Sequence, residues 1–226
     1  MKHIDKGAAP PTFEDWKALS TTNGIPPKYS QLRNPEKAAL HTALLDEQGH
    51  VCCYCGQSIK LTTSHIEHFR PQVARPDLAL DYDNLLASCI REMQPGTPLH
   101  CGHAKGNVFD EALHLSPLEP EIEGRFQYTL LGQIQPTDPT DAPAVHMRHV
   151  LQLDIALLND SRVKAIEKVF TLDVLSTVTR AELEVLIDGF RRRDEQGRFE
   201  HLGHVLARFA EQRLADLPPP THPLPG

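Results

Sequence analysis

Apolar residues recur at helical spacing before residue 50 of the chain. Leu40, Leu44 and Leu45 fall on one face of a helix, which predicts that this face packs against a core. Asn34-Pro35 is expected to begin the helix, because asparagine caps a first turn and proline suits the first helical position. Gly49 is expected to end it. This part of the chain therefore predicts one amphipathic helix that follows a Pro- and Thr-rich arm.

A second helical pattern occupies the chain after residue 144. Thr179 and Glu182 form a capping-box pair, in which each side chain binds the other residue's backbone N–H. The residues expected to face inward are Val163, Ile166, Val169 and Phe170, then Leu183, Leu186 and Phe190, and finally Leu202, Val205, Leu206 and Phe209. Further helices are therefore predicted here, and the Pro-rich tail from Pro218 onward is expected to be disordered.

Between these two regions the pattern favours short strands. Residues 58–61 and 63–66 are predicted strands, and residues 70–82 form a loop because they contain two prolines and several polar positions. A helix is predicted from Asp83 onward. The alternation of residues 125–130, with Gly132 after it, predicts a β-hairpin.

Together these elements predict an α+β fold in three parts. Residues 1–50 would form an N-terminal arm and helix, and residues 51–115 a core rich in cysteine and histidine. Residues 116–226 would form a hairpin followed by a C-terminal helical region. The length of 226 residues and the hydrophobic content of 40% allow the chain to bury a substantial core.

Charge and composition argue against two classes of protein, those that bind nucleic acid tightly by themselves and those that span a membrane. The net charge of -7 argues against a protein that binds nucleic acid tightly by itself. Residues 51–110 are close to neutral, with five lysines and arginines against six acidic residues. No apolar run is long enough to span a bilayer, and residues 1–7 lack the apolar core of a signal peptide. The protein is therefore expected to be cytoplasmic, without a membrane partner, and to keep its thiols reduced.

All five cysteines lie within one short part of the chain, which no packing pattern requires. The spacing Cys52-x-x-Cys55 lets a tight turn point two thiolates at one tetrahedral ion. Cys89 and Cys101 complete a set of four thiolates for a structural Zn²⁺, and Cys53 is the spare. The alternative is a redox pair made by Cys52 and Cys55. That pair would need a βαβ unit, and the sequence predicts none.

A second group of candidate ligands lies on the predicted strand that follows. His65 and Glu67 would share one face of this strand, and His68 would point to the other face. Glu67 can bind a hard divalent cation such as Mg²⁺ or Mn²⁺, while His68 can act as a general base on a water molecule. Hydrolysis of a phosphodiester needs both groups, because the water must lose a proton and the charge on the leaving oxygen must be neutralised.

Four motifs follow one another in this region. They are Glu47-Gln48-Gly49 with Cys52-Cys53-Tyr54-Cys55, His65-Ile66-Glu67-His68-Phe69-Arg70-Pro71, Asp83-Asn84-Leu85-Leu86-Ala87-Ser88-Cys89, and Cys101-Gly102-His103-Ala104-Lys105-Gly106-Asn107. Together they resemble the HNH endonucleases with zinc knuckles. Within that family they are most similar to the HNH nuclease subunit of the Septu anti-phage system and to the retron-associated HNH proteins. The resemblance covers about residues 25–170.

The resemblance implies a zinc-stapled ββα-metal core, in which two strands and a helix hold the catalytic cation. It implies that His68 is the general base, that Glu67 is a metal ligand and that Asn84 holds the loop after His68 in place. It also implies an effector of anti-phage defence, working with an ABC/SMC-like ATPase that presents the nucleic acid. DNA is favoured over RNA as the substrate. A retron reverse transcriptase and its msDNA are further candidate partners.

The sequence departs from the family pattern directly after the last cysteine. Most zinc-knuckle relatives carry His or Asn at that position, and this chain has Gly102. The third ligand of the catalytic cation could therefore be His103, His65 or Asn107. His103 is the first choice and His65 the next.

Further residues have a predicted role outside these ligand sets. Three basic residues near the predicted site, Arg70, Arg75 and Lys105, are candidate phosphate contacts. Two pairs of histidines, His146/His149 and His201/His204, are interpreted as solvated helix positions. The competing functional hypothesis is a zinc-knuckle adaptor or nucleic-acid-binding module without chemistry, which the glycine in place of a ligand favours.

Overall fold

The computed structural model describes residues 1–22, 24, 26–93 and 95–218. Its helices are α1 (Pro11–Thr22), α2 (Glu36–Glu47), α3 (Cys101–Lys105), α4 (Ala142–Val150), α5 (Ala156–Val169), α6 (Leu172–Thr177), α7 (Arg180–Arg191) and α8 (Gly203–Asp216). Its strands are β1 (Ser64–His68), β2 (Leu85–Cys89), β3 (Phe126–Tyr128) and β4 (Ile134–Pro136). This mixture of helices with two small antiparallel sheets confirms the α+β prediction. The tail from residue 219 onward, which is expected to be disordered, lies outside the described residues.

The first sheet pairs β1 with β2 and positions the candidate site. The two strands are antiparallel, with Ser64 opposite Cys89 and His68 opposite Leu85. The prediction of a helix from Asp83 onward is wrong, because a 3₁₀ turn at Tyr82–Asn84 leads directly into β2. All five residues of β2 are buried, and a short, wholly buried run has no period that would distinguish a strand from a helix.

The strand predicted at residues 58–61 does not form. Val51 and Ser58 make a single isolated antiparallel bridge, and the chain then turns through residues 61–63 into β1. The other strand prediction in this region is correct in type, and the strand extends two residues farther than residue 66, to His68. The hairpin prediction is confirmed as well, because β3 and β4 pair in antiparallel register.

Helix α2 packs its predicted face inward, since Leu40, Leu44 and Leu45 are all buried. Its first residue is Glu36, with Pro35 at the cap position and no capping side chain. The expected cap by Asn34 is therefore wrong, because the helix begins one residue too late for the Asn34 side chain to occupy the capping position.

The capping box predicted for the C-terminal helical region is confirmed at the start of α7, where Thr179 and Glu182 are bonded to each other's backbone N–H.

The start of helix α8 packs onto the cysteine-rich turn. The backbone N–H of Leu202 donates to the carbonyl of Gly56, which joins the start of α8 to that turn. A Cβ atom on Gly56 would lie 2.1 Å from the His204 ring, so this close approach requires glycine.

The interpretation of His204 as a solvated position is wrong. Its side chain is buried, and its Nε2 lies 3.3 Å from the hydroxyl of Tyr128 on β3. Burial lowers the pKa of His204 well below its ordinary value, so the ring is neutral at pH 7. His146 is half-buried with its ring 4.9 Å from that of His114, while His149 and His201 are exposed.

One buried amide joins the turn of the cysteines to β2. Gln48 is fully buried, and its Nε2 donates to the carbonyls of Val51 and Ala87, both at 2.9 Å. Its Oε1 accepts the backbone N–H of Ala87 at 2.7 Å. Because an unpaired buried polar group is costly, this side chain fixes where β2 lies relative to the chain that leaves α2.

We expect Gln48→Leu to destabilise the protein strongly, since it leaves the Val51 carbonyl and the Ala87 N–H buried without the Gln48 amide as partner. The loss should be on the order of 3 kcal/mol, measured as the free energy of unfolding in urea. Gln72→Leu, at an exposed position, is the matched control and should change that free energy little. Equal stability of the two variants would show that the Gln48 amide does not hold β2.

Candidate functional site

Four of the five cysteines converge at one buried point. Cys52 and Cys55 lie in the turn after α2, Cys89 ends β2, and Cys101 begins α3. Their sulfur atoms all lie within 4.8 Å of one another. The Sγ atoms of Cys55 and Cys89 are 3.7 Å apart, close to the edge of about 3.8 Å that a tetrahedron with Zn–S bonds of about 2.3 Å would have. The cluster could therefore hold a metal ion such as zinc.

Groups around the cluster stabilise negative charge on the sulfur of Cys52, while burial and the neighbouring thiols raise the pKa of Cys101 well above its ordinary value. The backbone N–H of Cys89 donates to Cys52 Sγ at 3.3 Å, and His100 Nδ1 lies 3.2 Å from Cys101 Sγ. Burial raises the pKa of the Cys52 thiol, but the hydrogen bonds from the neighbouring thiols outweigh it and bring that pKa well below its ordinary value. A metal ligand needs this thiolate form.

Cys53 does not belong to the cluster, as predicted. It is fully buried, and burial raises the pKa of its thiol well above the ordinary value, so that it stays protonated. All five cysteines carry free thiols. The arrangement thus matches the predicted set of four ligands and one spare.

Strand β1 carries the second group of candidate residues, with the carboxylate of Glu67 at its centre. Glu67 is only 7% exposed. Its Oε1 accepts from the Tyr54 hydroxyl at 3.2 Å and pairs with Lys105 Nζ at 2.9 Å, while His65 Nε2 lies 3.4 Å from Oε2. Burial raises the pKa of Glu67, but His65 and Lys105 outweigh it, and the pKa lies below its ordinary value. The carboxylate is therefore charged although it is buried.

His65 presents one ring nitrogen to this carboxylate. Its Nδ1 lies 2.7 Å from the carbonyl of Ile90, which can only accept a hydrogen bond, so Nδ1 carries a proton. Nε2 is then the nitrogen left for a cation at Glu67. Burial lowers the pKa of His65, but the contact with Glu67 outweighs it and raises the pKa, so a cation would displace a proton here.

Gly102 lies directly against these two residues. A Cβ atom at this position would be 2.5 Å from Glu67 Oε2 and 2.8 Å from His65 Nε2. A histidine or asparagine side chain at this position would therefore enter the space that His65 and Glu67 occupy. The lack of a side chain at residue 102 leaves that space to these two residues.

His103, the first choice for the third ligand, is placed differently. Its Nε2 lies 2.8 Å from the Ile90 carbonyl and is thus engaged by the backbone, and its ring packs 4.5 Å from that of His65. Asn107 is exposed beyond the end of α3. The geometry accordingly favours His65, the second choice.

His68 is held with one nitrogen free. Its Nε2 lies 3.1 Å from the carbonyl of Ala79, so this nitrogen is the donor and Nδ1 is left with its lone pair. The ring packs edge-on against Tyr29, with centroids 4.5 Å apart. Burial lowers the pKa of His68 below its ordinary value, so the ring is neutral at pH 7 and can accept a proton.

Asn84 ties the loop that follows His68. Its Oδ1 accepts the backbone N–H of Arg70 at 2.7 Å, and its Nδ2 donates to the carbonyls of Arg70 and Leu78 at 3.0 and 3.1 Å. These are the contacts expected of it from the resemblance. They fix the loop that contains Leu78 and Ala79, and the Ala79 carbonyl orients the His68 ring.

The three predicted phosphate contacts are all paired with carboxylates. Lys105 is 1% exposed, and its Nζ donates to the carbonyls of His68 and Phe69 as well as pairing with Glu67. Its role in this structure is therefore internal, which corrects the prediction. Arg70 pairs with Glu111 at 3.2 Å, and Arg75 pairs with Asp77 at 2.7 Å.

Sequence reasoning missed two aromatic residues of the site. Tyr54 donates to Glu67, and its place between the cysteines of the first pair was the available signal. Tyr29 packs on His68 from a turn before α2, and nothing near it in the sequence indicated this contact.

Comparisons with known proteins show no family for this chain. A scan against protein-family models found no match to the chain. A search of curated proteins also found none.

We expect the purified protein to contain about one zinc ion per chain, because four thiolates close a tetrahedral site. Cys55→Ser should lose that zinc and become insoluble, since binding of a structural zinc supplies part of the folding free energy. Zinc is measured by elemental analysis, and solubility by the yield after centrifugation. Cys53→Ser is the matched control and should keep both. A soluble, folded Cys55→Ser protein without zinc would contradict the assignment.

Proposed function

We propose that the chain is a metal-dependent HNH endonuclease that hydrolyses phosphodiester bonds of nucleic acid. The observation that carries the proposal is the arrangement at the end of β1. There, Glu67 Oε2 lies 3.4 Å from His65 Nε2, and the next residue along the strand, His68, carries a neutral ring whose Nδ1 is free. The proposal of a ββα-metal core is supported by the β1–β2 pair and α3, which the cysteine cluster brings together.

Each residue has a distinct role in this proposal. Glu67 and His65 would hold a divalent cation, Mg²⁺ or Mn²⁺, which when bound would neutralise charge on the scissile phosphate and the leaving oxygen. His68 takes the proton from the attacking water at Nδ1. Asn84 and the Ala79 carbonyl keep the His68 ring in that orientation. A structural zinc would hold the four cysteines and thereby fix β2 and α3 around the site.

We further propose that the nuclease is the effector of an anti-phage complex with an ABC/SMC-like ATPase. The near-neutral charge of the core and the net charge of -7 support a partner that presents the nucleic acid. Helices α4–α8 offer a docking surface for it. DNA is the favoured substrate, the complex is cytoplasmic, and a retron reverse transcriptase with its msDNA is a candidate further component.

The second candidate function is a zinc-knuckle adaptor without chemistry. The observation that favours it is the ion pair between Glu67 and Lys105, which already compensates the buried carboxylate without any cation. An adaptor would keep zinc and partner binding, and would lack cleavage.

We expect wild-type protein to nick plasmid DNA with Mg²⁺ or Mn²⁺ when the ATPase partner is present. His68→Ala should lower the rate about a hundredfold or more, because a general base contributes that much. Nicking is measured on gels, with and without the partner.

His149→Ala, an exposed histidine on α4, is the matched control and should nick like wild type. Equal nicking by wild type and His68→Ala would mean contamination or a wrong base. Zinc-loaded wild type that never nicks would favour the adaptor.

We expect Gly102→His to abolish Mn²⁺ binding and nicking, because its side chain would collide with Glu67 and His65. The combination Gly102→His with His65→Ala should regain a measurable part of both, since the new histidine can fill the vacated space. Mn²⁺ affinity is measured by calorimetry alongside nicking.

The control for this exchange is His103→Ala, which should bind Mn²⁺ within about threefold of wild type, because its Nε2 is engaged by the Ile90 carbonyl. Mn²⁺ binding by His65→Ala equal to that of wild type would show that His65 is not the ligand.

A further inference from the structure

A groove beside β1 includes one of the two proposed cation ligands, His65, in its lining. It has a volume of about 1120 Å³ and lies between the first half of α2 and the start of β1. His65 lines the groove, and Tyr29, which packs on His68, forms part of its wall. A molecule in this groove would therefore contact His65 and lie beside the aromatic ring that packs on His68.

Two cations line the groove, Lys37 on α2 and Arg91 after β2. Within the part of the chain that the structure describes, no carboxylate lies within ion-pair distance of either one. Glu92 is the one acidic residue among the described lining residues, and it is exposed. The groove is thus positive, although the chain as a whole carries a net charge of -7.

The remaining polar groups of the groove do not reverse this charge. His41 is buried and bonded to Ser64 at 2.9 Å, and burial lowers its pKa to about 4, so it is neutral at pH 7. Arg91 donates to the carbonyl of Leu61 at 2.6 Å, which fixes the guanidinium and leaves its other N–H groups free.

A continuous line of contacts leads from the groove to the base. Lys37 Nζ lies 5.2 Å from the centre of the Tyr29 ring, and that ring lies 4.5 Å from the ring of His68. By contrast, Arg70 and Arg75 on the other side of the site both pair with Glu111. A phosphate on that side would have to compete with carboxylates, and in the groove it would not.

We propose that this groove binds the phosphodiester backbone of the substrate strand, with Lys37 and Arg91 as phosphate contacts. The inference rests on the proposed nuclease function and places the substrate on the α2 side of β1. A duplex and a single strand offer the same phosphate chemistry. They differ in how many counterions each releases on binding.

The test measures binding without cleavage, on the full-length chain carrying His68→Ala and without added divalent cation. Fluorescence anisotropy gives Kd for labelled single-stranded DNA, duplex DNA and single-stranded RNA at several salt concentrations. The test variant adds Lys37→Glu and Arg91→Glu. The matched control adds Lys168→Glu and Arg192→Glu, two exposed charge reversals on the C-terminal helical region.

We expect the test variant to bind the preferred probe at least tenfold more weakly, with zinc content unchanged. The slope of log Kd against log salt should fall by about 1.4 for a single strand or about 1.8 for a duplex, as two phosphate contacts are lost. The control should bind within about twofold of the parent. The probe with the lower Kd identifies the form of the strand.

Several results would contradict the proposal that this groove binds the substrate strand. They are an unchanged Kd in the test variant, an equal loss in the control, or no binding of any probe by the parent. The proposed function is judged separately, by nicking with His68 intact. If binding depends on Lys37 and Arg91 but the protein never nicks DNA, the nuclease proposal is wrong and the groove proposal stands. If the protein nicks DNA but the test variant binds like its parent, the groove proposal is wrong and the nuclease proposal stands.

Discussion

Four buried thiols from three segments meet within 4.8 Å, and two of those segments, β2 and α3, contact the strand that carries Glu67 and His65. Cysteines at this distance cannot all be charged without a cation between them. With one, they join the turn after α2, the end of β2 and the start of α3 into one rigid unit. Helix α8 then packs on the same turn through His204 and Gly56. The small sheet is too short to be stable by itself, so this junction sets its geometry.

The buried carboxylate of Glu67 imposes the second constraint. A buried charge must be compensated, and here Lys105, Tyr54 and His65 do so from three different elements. Lys105 also binds the carbonyls of His68 and Phe69, so the same ammonium supports the carboxylate and the end of the strand that carries His68. These contacts hold the side chains in fixed positions, as the proposed catalytic role would require.

Several sequence predictions were wrong for one physical reason, namely that they concerned contacts between distant segments. The run after Asp83 forms a strand because it pairs with β1, and its own pattern carries no period. His204 is buried because α8 packs on the cysteine turn, which helical spacing does not reveal. Lys105 looked like a free cation, and only the fold brings Glu67 within 2.9 Å of it.

The sequence by itself indicated the candidate ligands. The spacing of the cysteines, the single spare Cys53 and the grouping of Glu67 with His68 are local properties, since a tight turn and a strand orient neighbours in known ways. Only the tertiary structure distinguishes the two candidate histidines, His65 and His103. Both lie near Ile90, but β1 points His65 Nε2 at Glu67 while α3 turns His103 Nε2 to the backbone. This difference depends on the close approach of Gly102 on α3 to Glu67 and His65 on β1. A contact between separate segments of this kind is not visible in a local sequence pattern.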